Sequence, residues 1–195
     1  MDGKMIRIAI SGQAKTGKNT LAEMIVNNLD TDAKNCCIAA VADPIKNIAM
    51  LMVPNADSKC LWGESELRSE LLPGNLKDAE GNPLSYRRFL LDLGKFGRLY
   101  NNDIWLDALV RMTNQQGSLK TFIISDVRFP NEIQYFKKNG FYMVRLKRSD
   151  IPQIDDISET AQLEVPDDYF DQVIVNDGTL QNLNEQAKLI INKLV

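Results

Sequence analysis

Five short apolar runs, at about residues 6 to 11, 37 to 41, 121 to 125, 141 to 146 and 172 to 175, are nearly continuous Val, Ile, Ala and Phe. A strand with one wet face alternates apolar and polar residues; runs without alternation predict strands buried on both faces. Helical-looking stretches separate them, the first from about Lys18 to Leu29, so the pattern predicts an α/β fold: a parallel sheet with helices on both sides. Between Asp43 and Gln116 the connection is too long for a simple crossover. It shows helical periodicity at about 43 to 53, 83 to 100 and 103 to 115, broken by Pro54, Gly63, Pro73-Gly74 and Gly81-Asn82-Pro83. This predicts a mostly helical region, 43–116, inserted into a core made of 1–42 and 117–195. The stretch from Ser149 to Asp168 is rich in acids and short on periodicity, which makes 148–168 a lid-like segment.

The first strand runs into Ser11-Gly12-Gln13-Ala14-Lys15-Thr16-Gly17-Lys18-Asn19-Thr20. Gly12 and Gly17 can take backbone angles closed to other residues, so the loop between them can turn its N–H groups inward around a polyphosphate. Lys18 adds a mobile positive charge, and the helix that follows aims its unpaired N–H groups and positive dipole end at the same anion. Gly12, Ala14, Lys15, Thr16, Gly17, Lys18, Asn19 and Thr20 are therefore the candidate phosphate ligands. Asn19 stands where a Ser or Thr often supplies a hydroxyl to magnesium, and Thr20 follows it, so either side chain is a candidate for the metal.

Ligands of a parallel sheet gather at the strand C-terminal ends, and each end here is polar: Ser11 and Gly12, Asp43, Asp126 and Arg128, Lys147 and Arg148, Asn176 and Asp177. Asp126 ends an apolar run in the way that delivers a carboxylate to magnesium or to a bound hydroxyl; Arg128 can grip a phosphate with two parallel hydrogen bonds. A structural salt bridge between the two is the alternative, and Pro130 with Glu132 suits the first turn of the next helix. Asp43 is placed as a helix cap with Pro44 first in the helix, or it orients an acceptor while Lys46 adds charge. In the run from Tyr86 to Arg98, Phe89, Leu90, Leu93 and Phe96 have core spacing, and Arg88 and Arg98 are either phosphate ligands or a solvated face. Trp105 is either core or a platform for a base. Arg145, Lys147 and Arg148 close the fourth strand, as a basic strand end or as groups that fold over a transferring phosphoryl. Asn176-Asp177-Gly178 is a turn or a border of the nucleotide base.

Composition narrows the chemistry. With 195 residues and 44% apolar content, one domain with a sizeable core is expected. A net charge of −3 and a pI near 5.1 disfavour a nucleic-acid polymer as partner while allowing a local basic pocket for a free nucleotide. The three cysteines, Cys36, Cys37 and Cys60, have no metal-type spacing and read as reduced thiols. No signal peptide or membrane-length apolar run is apparent, so a cytoplasmic, membrane-free location is expected. The chain contains no histidine, which removes the usual general base and every mechanism that needs an imidazole. Phosphoryl transfer survives that loss, because it depends chiefly on lysine, arginine and magnesium.

Gly12 to Thr20, Ala42 to Lys46, Arg88 to Trp105, Asp126 to Glu132 and Val175 to Gly178 together resemble the deoxynucleoside monophosphate kinases of tailed bacteriophages, and Asp126-Val127-Arg128-Phe129-Pro130-Asn131-Glu132 is the most distinctive piece. These enzymes belong to the adenylate kinase-like group, which also includes dephospho-coenzyme A kinases. The resemblance implies a P-loop NTPase three-layer sandwich with a five-stranded parallel sheet, an inserted helical acceptor-binding region and a lid. It implies magnesium-dependent transfer from ATP to a deoxynucleoside monophosphate, in the cytoplasm of the bacterial host if phage-encoded. Position by position, Lys18 holds the donor phosphates, Asp43, Arg88, Asp126 and Arg128 line the acceptor side, Arg148 acts from the lid, and Asn176 to Gly178 border the donor base. Two positions depart from the pattern. Asn19 replaces a common Asp, and Asp156-Ile157 precede Ser158-Glu159 where relatives carry a His. The rival readings are a kinase of dephospho-coenzyme A or another small metabolite, and a nucleotide-binding switch without turnover; the expectation leaves a homodimer open.

Overall fold

A computed structural model describes residues 5–29, 35–114, 120–151 and 160–195. Five strands, β1 (Ile6–Ser11), β2 (Cys36–Ala39), β3 (Thr121–Val127), β4 (Tyr142–Lys147) and β5 (Gln172–Val175), form one all-parallel sheet in the order β2-β3-β1-β4-β5. The α/β class and the five-stranded parallel core are as expected. β1 lies at the centre, flanked by β3 and β4, and Ile8, Ala9 and Ile10 have no exposed surface. Helices α1 (Lys18–Asn28) and α7 (Leu180–Leu194) pack against it through Leu21, Ala22, Ile25, Leu183, Ala187 and Ile190. β1, β3 and β4 are covered almost throughout, as runs without alternation predict, but the edge strands β2 and β5 leave Ile38, Val173 and Val175 exposed, which corrects the expectation of burial on both faces for those two runs.

The chain divides into two compact units, one comprising Met1–Val41 and Arg111–Val195, the other Ala42–Val110. In the second unit, α2 (Asp43–Met52), the short α3 (Ser58–Trp62) and α4 (Tyr86–Arg98) surround Ala49, Val53, Cys60, Leu61, Leu72 and Tyr86. α5 is Ile104–Asn114 and α6 is Pro130–Lys138. The expected helix at 83 to 100 starts only at Tyr86, because Ser85 caps it by accepting the Arg88 N–H. The residues before it form a hairpin-like strap, with antiparallel bridges Leu71 to Ser85 and Lys77 to Pro83 closed by an Asp78 carboxylate that accepts the N–H groups of Glu80 and Asn82. Tyr86, Leu90, Leu93, Gly94 and Gly97 make the inward stripe of α4. Phe96 falls off that stripe and is 59% exposed, so its expected place in the core is corrected. Its ring instead meets Tyr100 edge-on at 5.4 Å.

Candidate functional site

The segment after β1 is shaped by two close approaches. A Cβ on Gly12 would lie 2.4 Å from the Leu146 carbonyl oxygen, and one on Gly17 would lie 2.8 Å from Asn176 Nδ2. Gly17 also has φ of 99° and is the N-cap of α1, a conformation that L side chains rarely adopt. Lys15 is exposed, with φ of 64°, and Ala14 is half-buried. The Gln13 carbonyl accepts from Thr16 Oγ1 at 2.8 Å and from Lys18 Nζ at 2.6 Å, so the lysine, only 8% exposed, lies back across its own loop. Asn19 is exposed and Thr20 half-buried on the first turn of α1. From β5, the Asn176 amide donates to the Thr16 carbonyl at 2.9 Å. A contact with this loop was not among the roles expected of Asn176; it arises because β5 ends beside α1. Asp177 accepts from the Ser149 N–H and hydroxyl, and Gly178 packs against Asn182.

Beside β1, β3 runs on to Val127, two residues past the expected end at 125. Ala9 pairs with Ile124 but Ser11 with Val127, so β3 carries one extra residue. Such a bulge re-aims side chains at a strand end. Half-buried Asp126 lies in it and accepts the Val41 N–H at 2.8 Å; Arg128 follows, also half-buried. Glu132, in the first turn of α6, accepts the N–H groups of Arg128 at 2.9 Å and Phe129 at 3.1 Å. Burial pushes its carboxyl up to about 7 despite those two donors. At the end of β4, Arg145 is no exposed basic residue. It is 4% exposed, pairs with Asp167 at 2.6 Å and lies 4.1 Å over the Phe170 ring. Lys147 shares Asp167 at 2.5 Å, and Arg148 is exposed. The segment expected to be a flap is in part packed structure: Ala161–Glu164 and Asp167–Tyr169 are 3-10 turns, with Ala161, Gln162, Val165 and Phe170 buried. Its residues 152–159, including Asp156-Ile157-Ser158-Glu159, lie outside the described residues.

In the second unit Asp43 does not cap α2. The N-cap is Ala42, whose methyl side chain has no acceptor to offer, and the Asp43 carboxylate, one residue inside the helix, pairs with Lys46 at 2.9 Å. Arg88 pairs with Asp92 at 2.8 Å on an exposed face, and exposed Arg98 reaches back over Gly94. Trp105 is core: its indole lies against Gly97, where a Cβ would come within 2.4 Å, and donates to the Gly94 carbonyl at 3.0 Å. A ring so held is not a platform for a base, which corrects that expectation.

A sequence model of the family described as Deoxynucleotide monophosphate kinase matches residues 74–187, more than half of the chain. The chain belongs to the deoxynucleotide monophosphate kinase family. A protein of Acanthamoeba polyphaga mimivirus that carries the provisional name deoxynucleotide monophosphate kinase is 25% identical over 193 residues, covering 93% of this chain and 94% of its own. Membership of this kinase family makes the chain a phosphotransferase with nucleotide kinase activity. The family match includes Asp126, Arg128, Glu132, Arg145 and Asn176, whereas the loop at Gly12 to Thr20 precedes it and is supported by its own geometry. Among the described residues no helix is long and apolar enough to cross a membrane.

Sequence reasoning missed Gln162, which is 1% exposed and takes the Ser11 hydroxyl at 3.1 Å, and it saw Glu132 only as a helix-start residue. Gln162 has no periodic or motif signal, whereas Glu132 stands three residues after the N-cap of α6, a position that marks a helix start without revealing a buried carboxyl. Glu132 yields a test. Because its folded pKa is raised above the ordinary value of 4.5, the folded chain holds a proton that the unfolded chain releases between about pH 4.5 and 7. Its contribution to stability is therefore fullest at low pH and falls by up to about 3 kcal/mol as pH rises through that window. Glu132→Gln, which keeps an oxygen for both N–H donors, is expected to flatten the difference between urea melts at pH 5 and pH 8. Identical slopes for the two proteins would place the proton elsewhere.

Proposed function

We propose that the chain transfers the γ-phosphoryl group of ATP to a deoxynucleoside monophosphate, giving the diphosphate. The observation that carries this reading is the loop from Gly12 to Thr20, which turns through Gly17 into the N-terminus of α1 with Lys18 folded over it. Its N–H groups and helix end suit a polyphosphate, and Lys18 suits the oxygens between β- and γ-phosphorus. In this reading Asn176, Asp177 and Gly178 border the donor base, and Asn176 also steadies the loop through the Thr16 carbonyl. Asp126 and Arg128 face the acceptor phosphate, the second unit supplies the acceptor region with Asp43, Lys46, Arg88 and Arg98, and Arg148 acts from the lid-like segment.

No strong base is needed, since a phosphate monoester is already ionised at neutral pH. That agrees with a chain without histidine. Positioning and charge stabilisation carry the rate. The Asp126 carboxylate, the Thr20 hydroxyl and the Asn19 amide are hard oxygen donors, few in number, and fit magnesium, which keeps several waters and takes phosphate oxygens for the rest. When bound, that ion would neutralise charge on the donor phosphates.

The test is an ADP-release assay with ATP, magnesium and each nucleoside and deoxynucleoside monophosphate, with dephospho-coenzyme A in parallel. ADP release dependent on at least one deoxynucleoside monophosphate is expected. Turnover of dephospho-coenzyme A alone, or slow nucleotide hydrolysis that no monophosphate accelerates, would overturn the reading.

A further inference from the structure

We propose that Gln162 is a positioning residue for the phosphate loop, holding the loop's first turn in place through the hydroxyl of Ser11. The kinetic part of this inference rests on the function proposed above.

Ser11 and Arg145 are direct register partners across the β1–β4 pair, and both are buried. They converge on one residue of the 3-10 turn Ala161–Glu164. Ser11 Oγ donates to Gln162 Oε1 at 3.1 Å, and Arg145 Nη2 donates to the Gln162 backbone carbonyl at 2.6 Å. The guanidinium is itself fixed by Asp167 at 2.6 Å and by the Phe170 ring at 4.1 Å. Gln162 thus links Arg145 and Ser11: its carbonyl is held by the guanidinium, and its side-chain oxygen holds the Ser11 hydroxyl. Ser11 directly precedes Gly12, which leaves no room for even a Cβ against the Leu146 carbonyl. A shift of Ser11 therefore moves the loop.

The glutamine is a costly choice for packing alone. Among the described residues its buried Nε2 has no hydrogen-bond partner, and an orphaned buried donor is unfavourable. Leucine would fill similar space without that orphan. What leucine lacks is the oxygen that receives the Ser11 hydroxyl, and that oxygen is the atom the inference depends on.

Gln162→Leu removes the acceptor and the orphaned donor together. Its melting temperature is expected to equal or exceed that of the unsubstituted chain. Hydrogen exchange of the nucleotide-free protein is expected to be at least threefold faster at the amides of residues 12–18, with β3 unchanged. In the kinase assay kcat/KM for ATP is expected to fall about tenfold, with the acceptor KM unchanged within twofold. Ser11→Ala, which leaves the turn intact, is expected to give the same exchange and kinetic changes, and the double variant no further change. Gln162→Glu keeps an oxygen toward Ser11 and is expected to recover most of the loss. Unchanged loop exchange in both single variants overturns the proposal. So does a lowered melting temperature with faster exchange throughout the sheet, which would make Gln162 a packing residue. If the unsubstituted chain turns over no monophosphate, the kinase reading fails, and the exchange measurement still decides the positioning role.

Discussion

Lys18→Ala is expected to lower kcat/KM by about 10²- to 10³-fold, or about 3 to 4 kcal/mol of transition-state stabilisation, while leaving the melting temperature nearly unchanged. The two effects separate because of the way the loop is built. Lys18 donates to the Gln13 carbonyl, but that oxygen also accepts from Thr16 Oγ1 and, at 3.4 Å, from the Thr16 N–H. Its hydrogen-bonding need is still met when the lysine is cut back, so the fold loses on the order of 1 kcal/mol. What disappears is the ammonium that would follow charge as it develops on the transferring phosphoryl group, and no histidine exists in the chain to replace it. Steady-state kinetics beside a thermal melt check this. A folded Lys18→Ala protein with full activity would remove Lys18 from the mechanism.

Gly12→Ala is expected to damage both the fold and the activity, with a loss of about 3 kcal/mol in stability. The added methyl would sit 2.4 Å from the Leu146 carbonyl oxygen and 3.0 Å from Thr16 Oγ1. The first contact is with backbone, so no rotamer change relieves it. β1 must move from β4, and the pairs Ile10–Val144 and Ser11–Arg145 nearest the clash must give way first. For a chain of this length such a loss corresponds to a drop of roughly 6 to 12 °C in melting temperature. Calorimetry of the variant checks it, and an unshifted transition would mean that the strand ends yield far more easily than a packed parallel sheet should. Because the distortion enters the loop at its first residue, catalysis is expected to fall even at temperatures where the variant is folded.

Much of the framework was legible because it rests on local rules. Each sheet strand overlapped an apolar run, and the reading of burial on both faces held at the centre, in β1, β3 and β4; the edge strands β2 and β5 are apolar yet partly exposed. The loop at Gly12 to Thr20 was legible because glycines at close approaches leave a spacing signal. The Asp126 to Glu132 run marked a strand end and a helix start in the correct order, and α6 begins at Pro130 as that residue's fixed φ favours. Legibility failed where several directions compete. The spacing of Phe96 allowed burial, but the inward stripe of α4 was set by Tyr86, Gly94 and Gly97, and Phe96 points elsewhere. Arg145 read as an exposed basic strand end or as a group that folds over a phosphoryl, because charge argues for contact with water or with an anion. It is buried because Asp167, 22 residues further on, returns to pair with it.

By itself the sequence determined the periodicities, hence the parallel sheet and its helices, and a glycine-bounded loop with its lysine in a chain whose chemistry must proceed without imidazole. These properties reside in consecutive residues, where steric freedom and burial pattern act over a few positions. Only the tertiary structure decided that Gln162 meets Ser11 across 151 residues, that Asn176 holds the Thr16 carbonyl across 160, and that β3 bulges at Asp126. Such contacts follow from which strands become neighbours and in what register. A hydrogen bond between distant side chains leaves no mark in either local sequence, because the free energy that selects it is gained only after the sheet has assembled.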